Sequence, residues 1–285
     1  MNYLLRFPGG RVRALTFSYD DGVTADIPLV KIFDDYGLKG TFNINTGLFY
    51  EGDDPLPDSY NTTVSRRMTR EETYNLFANS SHEVAVHSLT HPELHQCPIE
   101  RVTYEILIDR INIEEMFGGI CRGMAYPYGS TSDTAVKAIA ASGIAYARTT
   151  VSTEKFDIPT DWLRMPATCH HKNPRLMELA DKFLADPKSQ PTTPKLFYIW
   201  GHSYEFCHDQ NWDVIIKLAE KLAHNDTIWY ATNIEIYNYV RDFYRLEVSC
   251  DGKIFHNPTN TDLFVAISKG EDGTVKIPAG ETVRI

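Results

Sequence analysis

Two adjacent carboxylates, Asp20 and Asp21, stand in the run Thr16-Phe17-Ser18-Tyr19-Asp20-Asp21-Gly22. A pair of histidines four apart bounds His87-Ser88-Leu89-Thr90-His91, and a distant third histidine ends Trp200-Gly201-His202. Together these residues can supply a base, a metal cage and an acid. At i and i+4, His87 and His91 are expected on one side of a helical turn, where both rings reach one ion and Asp21 adds a carboxylate oxygen. Two nitrogens and one oxygen suit Zn²⁺, with Co²⁺, Ni²⁺ or Fe²⁺ as competitors decided by availability. Three protein ligands leave positions open for water and substrate, so the set reads as that of a one-metal hydrolase.

The elements that must hold these residues are βα units. From residue 11 to about 243 short apolar runs alternate with helical patterns, the signature of a parallel sheet. Strands are expected at Val12–Phe17, Gly40–Asn45, Glu83–Val86, Gly123–Tyr126, Ile144–Ala147, Leu196–Trp200 and Thr227–Tyr230. Helices are expected near Asp26–Tyr36, Arg70–Ala78, Ile99–Phe117, Asp133–Ser142, Pro174–Ala185, Trp212–His224 and Ile234–Tyr244. Thr69 before Glu71 and Glu72 reads as an N-cap, and Gly37 and Gly143 as helix stops. The fold class is α/β: a distorted, incompletely closed (β/α)7 barrel. Asp20, Asp21, His87, Tyr128 and His202 all fall after the C-terminal ends of expected strands, the face where such barrels do chemistry. Polar, Pro-containing loops are expected at Glu51–Met68 and Pro187–Pro194.

After residue 245 the pattern changes to period two, with turns at Asp251-Gly252, Asp272-Gly273 and Ala279-Gly280. About 40 residues bury too little surface to stand alone. Residues 245–285 are therefore expected as a β-rich extension packed on a barrel of residues 1–244. The net charge of −10 argues against a nucleic acid partner, and no apolar run has the length of a membrane span. Met1–Arg13 lacks an apolar leader core, and five cysteines without a C-x-x-C pair fit reduced thiols; both point to the cytoplasm. Nothing in the sequence sets an oligomeric state.

These residues resemble the polysaccharide deacetylase family, carbohydrate esterase family 4 or NodB homology domain. Its first motif, T-F-D-D-G, is expanded here as Thr16 to Gly22, and its second, H-[S/T]-x-x-H, is His87 to His91. The third, R-x-P-Y-G, is Ala125-Tyr126-Pro127-Tyr128-Gly129, the fourth is Asp161-Trp162, and the fifth is Trp200-Gly201-His202. The resemblance covers residues 11–243. It implies removal of acetyl groups from an N- or O-acetylated carbohydrate, with Asp20 as general base, Asp21, His87 and His91 as metal ligands and His202 as general acid. It further implies an oxyanion donor at the Tyr128 backbone N–H, Asp161 tuning His202 and Trp162 walling the acetyl pocket. Trp200 and Tyr204 flank His202 and could stack on a sugar.

One departure stands out. Ala125 occupies the place of the third-motif Arg that holds the catalytic carboxylate, and it can hold nothing. Arg148 and Arg164 are the candidates to replace it, Arg148 first, with substrate contact as its other role. Thr168-Cys169-His170-His171 is a second cluster, expected as a pocket wall. Two further readings remain open: a hydrolase of cyclic ureides or imides on the same barrel, against which the Asp-His-His set counts, and a catalytically impaired carbohydrate-binding relic, against which retention of both Asp20 and His202 counts.

Overall fold

The strand that carries Asp20 is buried along its whole length, and its two faces differ in chemistry. In this computed structural model, which describes residues 3–53, 56, 65–185, 193–267 and 273–285, Leu15, Phe17 and Tyr19 point into an apolar layer shared with helices. Thr16, Ser18 and Asp20 point the other way into a polar interior: Thr16 Oγ1 donates to Asn233, whose Nδ2 donates to the Tyr198 hydroxyl, and Asn43 Nδ2 donates to Ser18 Oγ. The polar column ends at Asp20.

In chain order the elements are β1 (Tyr3–Arg6), β2 (Arg13–Asp20), α1 (Asp26–Asp35), β3 (Gly40–Ile44), α2 (Arg70–Phe77), β4 (Glu83–Val86), α3 (Ile99–Phe117), β5 (Gly123–Ala125), α4 (Asp133–Ala141) and β6 (Tyr146–Ser152). Then come β7 (Met165–Ala167), β8 (Cys169–His170), α5 (Leu176–Leu184), β9 (Lys195–Gly201), α6 (Tyr204–Asp209), α7 (Asp213–Leu222), β10 (Ile228–Tyr230) and α8 (Asn233–Phe243). The chain finishes with β11 (Glu247–Val248), β12 (Ile254–His256), β13 (Leu263–Ile267), β14 (Thr274–Ile277) and β15 (Thr282–Arg284). Most of Glu51–Met68 and of Pro187–Pro194, expected as loops, lies outside the described residues.

The main sheet is parallel, in the order β7-β6-β5-β4-β3-β2-β9-β8, with β10 beside the first half of β2. It curls until its two end strands, β7 and β8, are consecutive pieces of one run joined at Thr168, without a ladder between them: an incompletely closed barrel. That run escapes sequence pattern because Pro166 interrupts it and each piece is only two or three residues long. β6 also runs to Ser152, which takes Arg148 into the sheet.

Helix faces follow the expected periodicity. Leu29, Ile32 and Phe33 of α1 and Ile215, Leu218 and Leu222 of α7 close one side of the sheet; Val102, Ile106 and Ile113 of α3 with Ala135 and Ile139 of α4 close another. Capping boxes at Thr69/Glu72 and Thr232/Glu235 start α2 and α8. Residues of β12, β13 and β14 share an apolar cluster with β9 and α8, and β1 pairs antiparallel with β13. All five cysteines are unpaired. Among the described residues no helix is long and apolar enough to cross a membrane.

Candidate metal centre and active site

The first motif leaves the sheet at its last strand residue. Asp20 still belongs to β2, whereas Asp21 takes a left-handed backbone (φ 90°) and turns its carboxylate sideways toward the loop after β4. There His87 and His91 meet it: Asp21 Oδ1 is 3.9 Å from His87 Nε2 and 3.8 Å from His91 Nε2. The histidine pair does not lie on a helical turn, as its spacing suggested. Ser88 and His91 are both left-handed (φ 63° and 57°), and this folded loop brings the rings to 4.8 Å.

Two buried acids one helical turn apart on α3 hold that loop. Glu105 accepts from the backbone N–H and the hydroxyl of Thr90, and Asp109 accepts from the N–H groups of His87 and Thr46. Their signal in the sequence was two carboxylates, at i and i+4, inside the apolar stripe Val102–Ile106–Ile113, where an acid is costly unless it is used. Burial, largest of the effects, pushes Asp109 up to about 7 against the donors that hold it.

The three ligand atoms lie within 4.8 Å of one another, and their chemistry fits a divalent ion. His87 Nδ1 is 2.9 Å from the Ala125 carbonyl, to which its N–H donates; Nε2 then presents its lone pair toward Asp21. Burial lowers the pKa of both rings, that of His91 to about 4, so both are neutral at pH 7, as ligands must be. Arg67, which the sequence reading did not single out, donates to the backbone oxygen of Asp21, to its Oδ1 at 2.9 Å and to Asn45.

Asp20 sits beside this set, 3% exposed. Its Oδ1 accepts from Asn43 Nδ2 at 2.9 Å and from Arg148 Nη2 at 2.6 Å, and Oδ2 also contacts the Arg148 guanidinium. Oδ2 lies 4.0 Å from His87 Nε2 and 3.9 Å from His202 Nε2. Burial alone would raise this carboxyl; the Arg148 charge, followed by those of His87 and His202, outweighs it and holds Asp20 down at about 2. His202 shifts upward: burial disfavours its charge, but the Glu205 carboxylate 3.3 Å from Nδ1, with Asp20, overcomes that.

Other expected positions fall differently. Arg148 is fully buried and its guanidinium is committed to Asp20, Ser18 Oγ and the Thr149 carbonyl, so it has no face for substrate. Trp200 is equally unavailable for stacking: it is 7% exposed and its ring lies under the Arg148 guanidinium at 4.5 Å. Tyr204, its ring 5.1 Å from that of His202, does line the site. Tyr128 (φ 58°) lies after β5, 61% exposed, with its ring 4.7 Å from His91; Gly129 follows because a Cβ there would meet Thr150 Oγ1 at 2.1 Å.

Asp161 and Trp162 are not in the site. Trp162 packs edge-on against Tyr237 in a groove with Arg122 and Gly143–Ala145, which precede β5 and β6 and thus mark the opposite end of the barrel. Asp161 caps the Leu163 N–H and pairs with Arg164, whose other partner is Asp133. An Asp-Trp pair is too short a motif to fix its own place, and no expected strand ends just before it to anchor it. The residue that touches His202 is Glu205, in the sequence His202-Ser203-Tyr204-Glu205.

Residues 8–147 of the 285 match the family model of polysaccharide deacetylase, the family that the sequence motifs resemble. A Mycobacterium smegmatis protein assigned to the polysaccharide deacetylases shares the fold, with 16% identity over 85% of this chain and 94% of that one and a TM-score of 0.56. So does a mutant of a CE4 family pseudoenzyme of Bacillus anthracis with restored enzymatic activity, with 15% identity, 82% and 70% covered, and a TM-score of 0.51. A Streptococcus pyogenes deacetylase solved with acetate matches at 20% identity over 47% of this chain, which spans 55% of that protein's length, with a TM-score of 0.41. No curated protein matches the chain.

Proposed function

We propose that this chain is a metal-dependent hydrolase that removes acetyl groups from an acetylated carbohydrate. One observation carries the reading: Asp21, His87 and His91 converge within 4.8 Å, beside an ionised Asp20 whose Oδ2 is 3.9 Å from His202 Nε2. A divalent cation held by those three residues, zinc by the donor set, would polarise the acetyl carbonyl and acidify water.

The chain's own groups divide the proton work. Asp20, its pKa held low by Arg148, accepts the proton of the attacking water as its oxygen adds to the acetyl carbon. The backbone N–H of Tyr128, in the role the family resemblance gives it, would donate to the oxyanion that forms. His202, its pKa moved upward, passes the Nε2 proton to the leaving nitrogen; the C–N bond breaks, giving acetate and a free amine, or the alcohol from an O-acetyl group. A base driven down and an acid driven up form the separated pair this chemistry requires.

The relic reading rested on a carboxylate with nothing to hold it, and Arg148 on Asp20 supports the active reading instead. The test is acetate release from acetylated chito-oligosaccharides and xylo-oligosaccharides by protein purified without chelator, with zinc measured on the same sample. Stoichiometric zinc without acetate release would favour the relic, and metal-free protein that opens a cyclic ureide would sink the deacetylase.

A further inference from the structure

The end of β8 and the start of α6 bring a second group of metal-binding residue types against His202. Glu205 Oε2 lies 3.3 Å from His202 Nδ1, 3.1 Å from His170 Nε2 and 3.4 Å from His171 Nε2, and it accepts the His202 backbone N–H at 3.1 Å. Two imidazoles and a carboxylate within 4.8 Å could hold an ion of their own. The hydrogen bonds decide against it. The Lys172 backbone N–H donates to His170 Nδ1 at 3.1 Å, which occupies that lone pair and leaves the proton of the neutral ring on Nε2, pointing at Glu205. The Lys172 ammonium, 3.2 Å from Glu205 Oε1, already supplies a cation where a metal would have to approach.

We propose that Glu205 is the positioning residue of the general acid: it accepts the Nδ1 proton of His202, which leaves Nε2 facing Asp20 and the substrate, and it sustains the charged ring. His170 and Lys172 hold Glu205 in turn. His171 is the wall of this array, 2% exposed, stacked on Tyr19 at 5.7 Å and on Phe206 at 4.2 Å, and a Cβ at Gly201 would lie 2.1 Å from its Nδ1. The array thus does the work that the resemblance assigns to Asp161, which has no contact with the ring. The inference rests on the deacetylase reading for the word acid, but the placement of the Nδ1 proton stands without it. The charged and titratable groups facing His202 are Asp20 at the end of β2 and Asp21 after it, His170 at the end of β8 and His171 after it, and Tyr204 and Glu205 on α6, with Lys172 behind Glu205.

The test is ¹⁵N NMR of the His202 ring in the full chain, comparing wild type with Glu205→Gln and Glu205→Ala, with His202→Ala giving the assignment. Wild type should carry the Nδ1–H tautomer when neutral. Glu205→Gln, whose amide oxygen still accepts, should keep that tautomer but titrate at lower pH, while Glu205→Ala should lose both. In parallel, kcat for acetate release should fall up to about 100-fold in Glu205→Gln, its alkaline limb moving to lower pH with zinc unchanged at one per chain. Identical His202 titration in Glu205→Gln would overturn the proposal. So would a second equivalent of zinc in wild type that both Glu205→Gln and His170→Ala lose. Absence of acetate release from wild type would defeat the deacetylase reading and leave the ring titration to decide the role of Glu205.

Discussion

Ala125 on β5 and Arg148 on β6 are register partners, so their side chains leave the sheet on the same side, one strand spacing of about 4.8 Å apart. The family's third motif puts its Arg at the first of these positions; here the guanidinium comes from the second and still reaches Asp20. Both positions are closed to solvent, so the volume released at Ala125 is available to the neighbouring strand's long side chain.

Arg148→Ala should therefore fail in two separable ways. Leaving Asp20 buried without its partner should cost about 3–5 kcal/mol in urea unfolding. With the largest lowering influence gone, burial raises the Asp20 carboxyl, so the acid limb of kcat/KM should move to higher pH. The double variant Ala125→Arg/Arg148→Ala returns the charge to the other strand and should recover part of both. Full turnover with an unchanged pH profile in Arg148→Ala would show that Asp20 does not need it.

Zinc should be found at one equivalent per chain by elemental analysis, and Asp21→Ala or His91→Ala should lose it. Asp109→Asn is a subtler probe. It sets an amide against N–H donors from His87 and Thr46, so it should weaken zinc binding by about 10-fold without removing a ligand. Asp161→Ala, at the other end of the barrel, should bind zinc as wild type does; weakened binding there would mean the fourth motif reaches the site after all.

Much of this was readable from the chain because strand ends and short motifs agree: Asp20, His87 and His202 stand where short apolar runs stop, and parallel strands aim those stops at one face. What escaped reading was set by tertiary packing. Leu15, Phe17 and Tyr19 advertise a strand, but nothing local says that Ser18 will touch Arg148, 130 residues away. Glu205 escaped because H-x-x-E in one short turn resembles an ordinary helix start. Asp161-Trp162 misled for the opposite reason: two common residues matched a motif with no strand end to place them.

Asp26, at the start of α1, offers a separate pH test. It is 1% exposed, accepts from Ser203 Oγ at 2.5 Å and from the Val23 N–H, and burial outweighs both bonds to raise it to about 7. A raised acid holds its proton in the folded state where the unfolded chain has released it, so its contribution is present below the ordinary carboxyl pKa and is lost as pH rises toward 7. The urea midpoint should fall between pH 4 and 7 for this reason. In Asp26→Asn the amide can accept from Val23 and donate to Ser203, and that part of the fall should vanish; an identical pH slope in the variant would rule Asp26 out as its source.

We propose that residues 245–285 fold with the barrel as one unit rather than as a separate module. β1 precedes the barrel in sequence yet pairs with β13 of the extension, and Phe255, Leu263, Val265 and Ile277 share a cluster with Leu5, Phe7, Leu196 and Phe243. Phe255, 1% exposed and edge-on to Tyr3 at 5.3 Å, lies where the two meet. Phe255→Ala should cost about 3–5 kcal/mol, and the loss should appear across the whole molecule: far-ultraviolet circular dichroism and tryptophan fluorescence should report coincident urea transitions, both shifted. A chain cut at residue 244 should lose the partner of β1 and the cover of Leu5 and Phe7, and so fail to unfold cooperatively. A truncated chain that melts with the wild-type midpoint would show that the barrel stands without its extension.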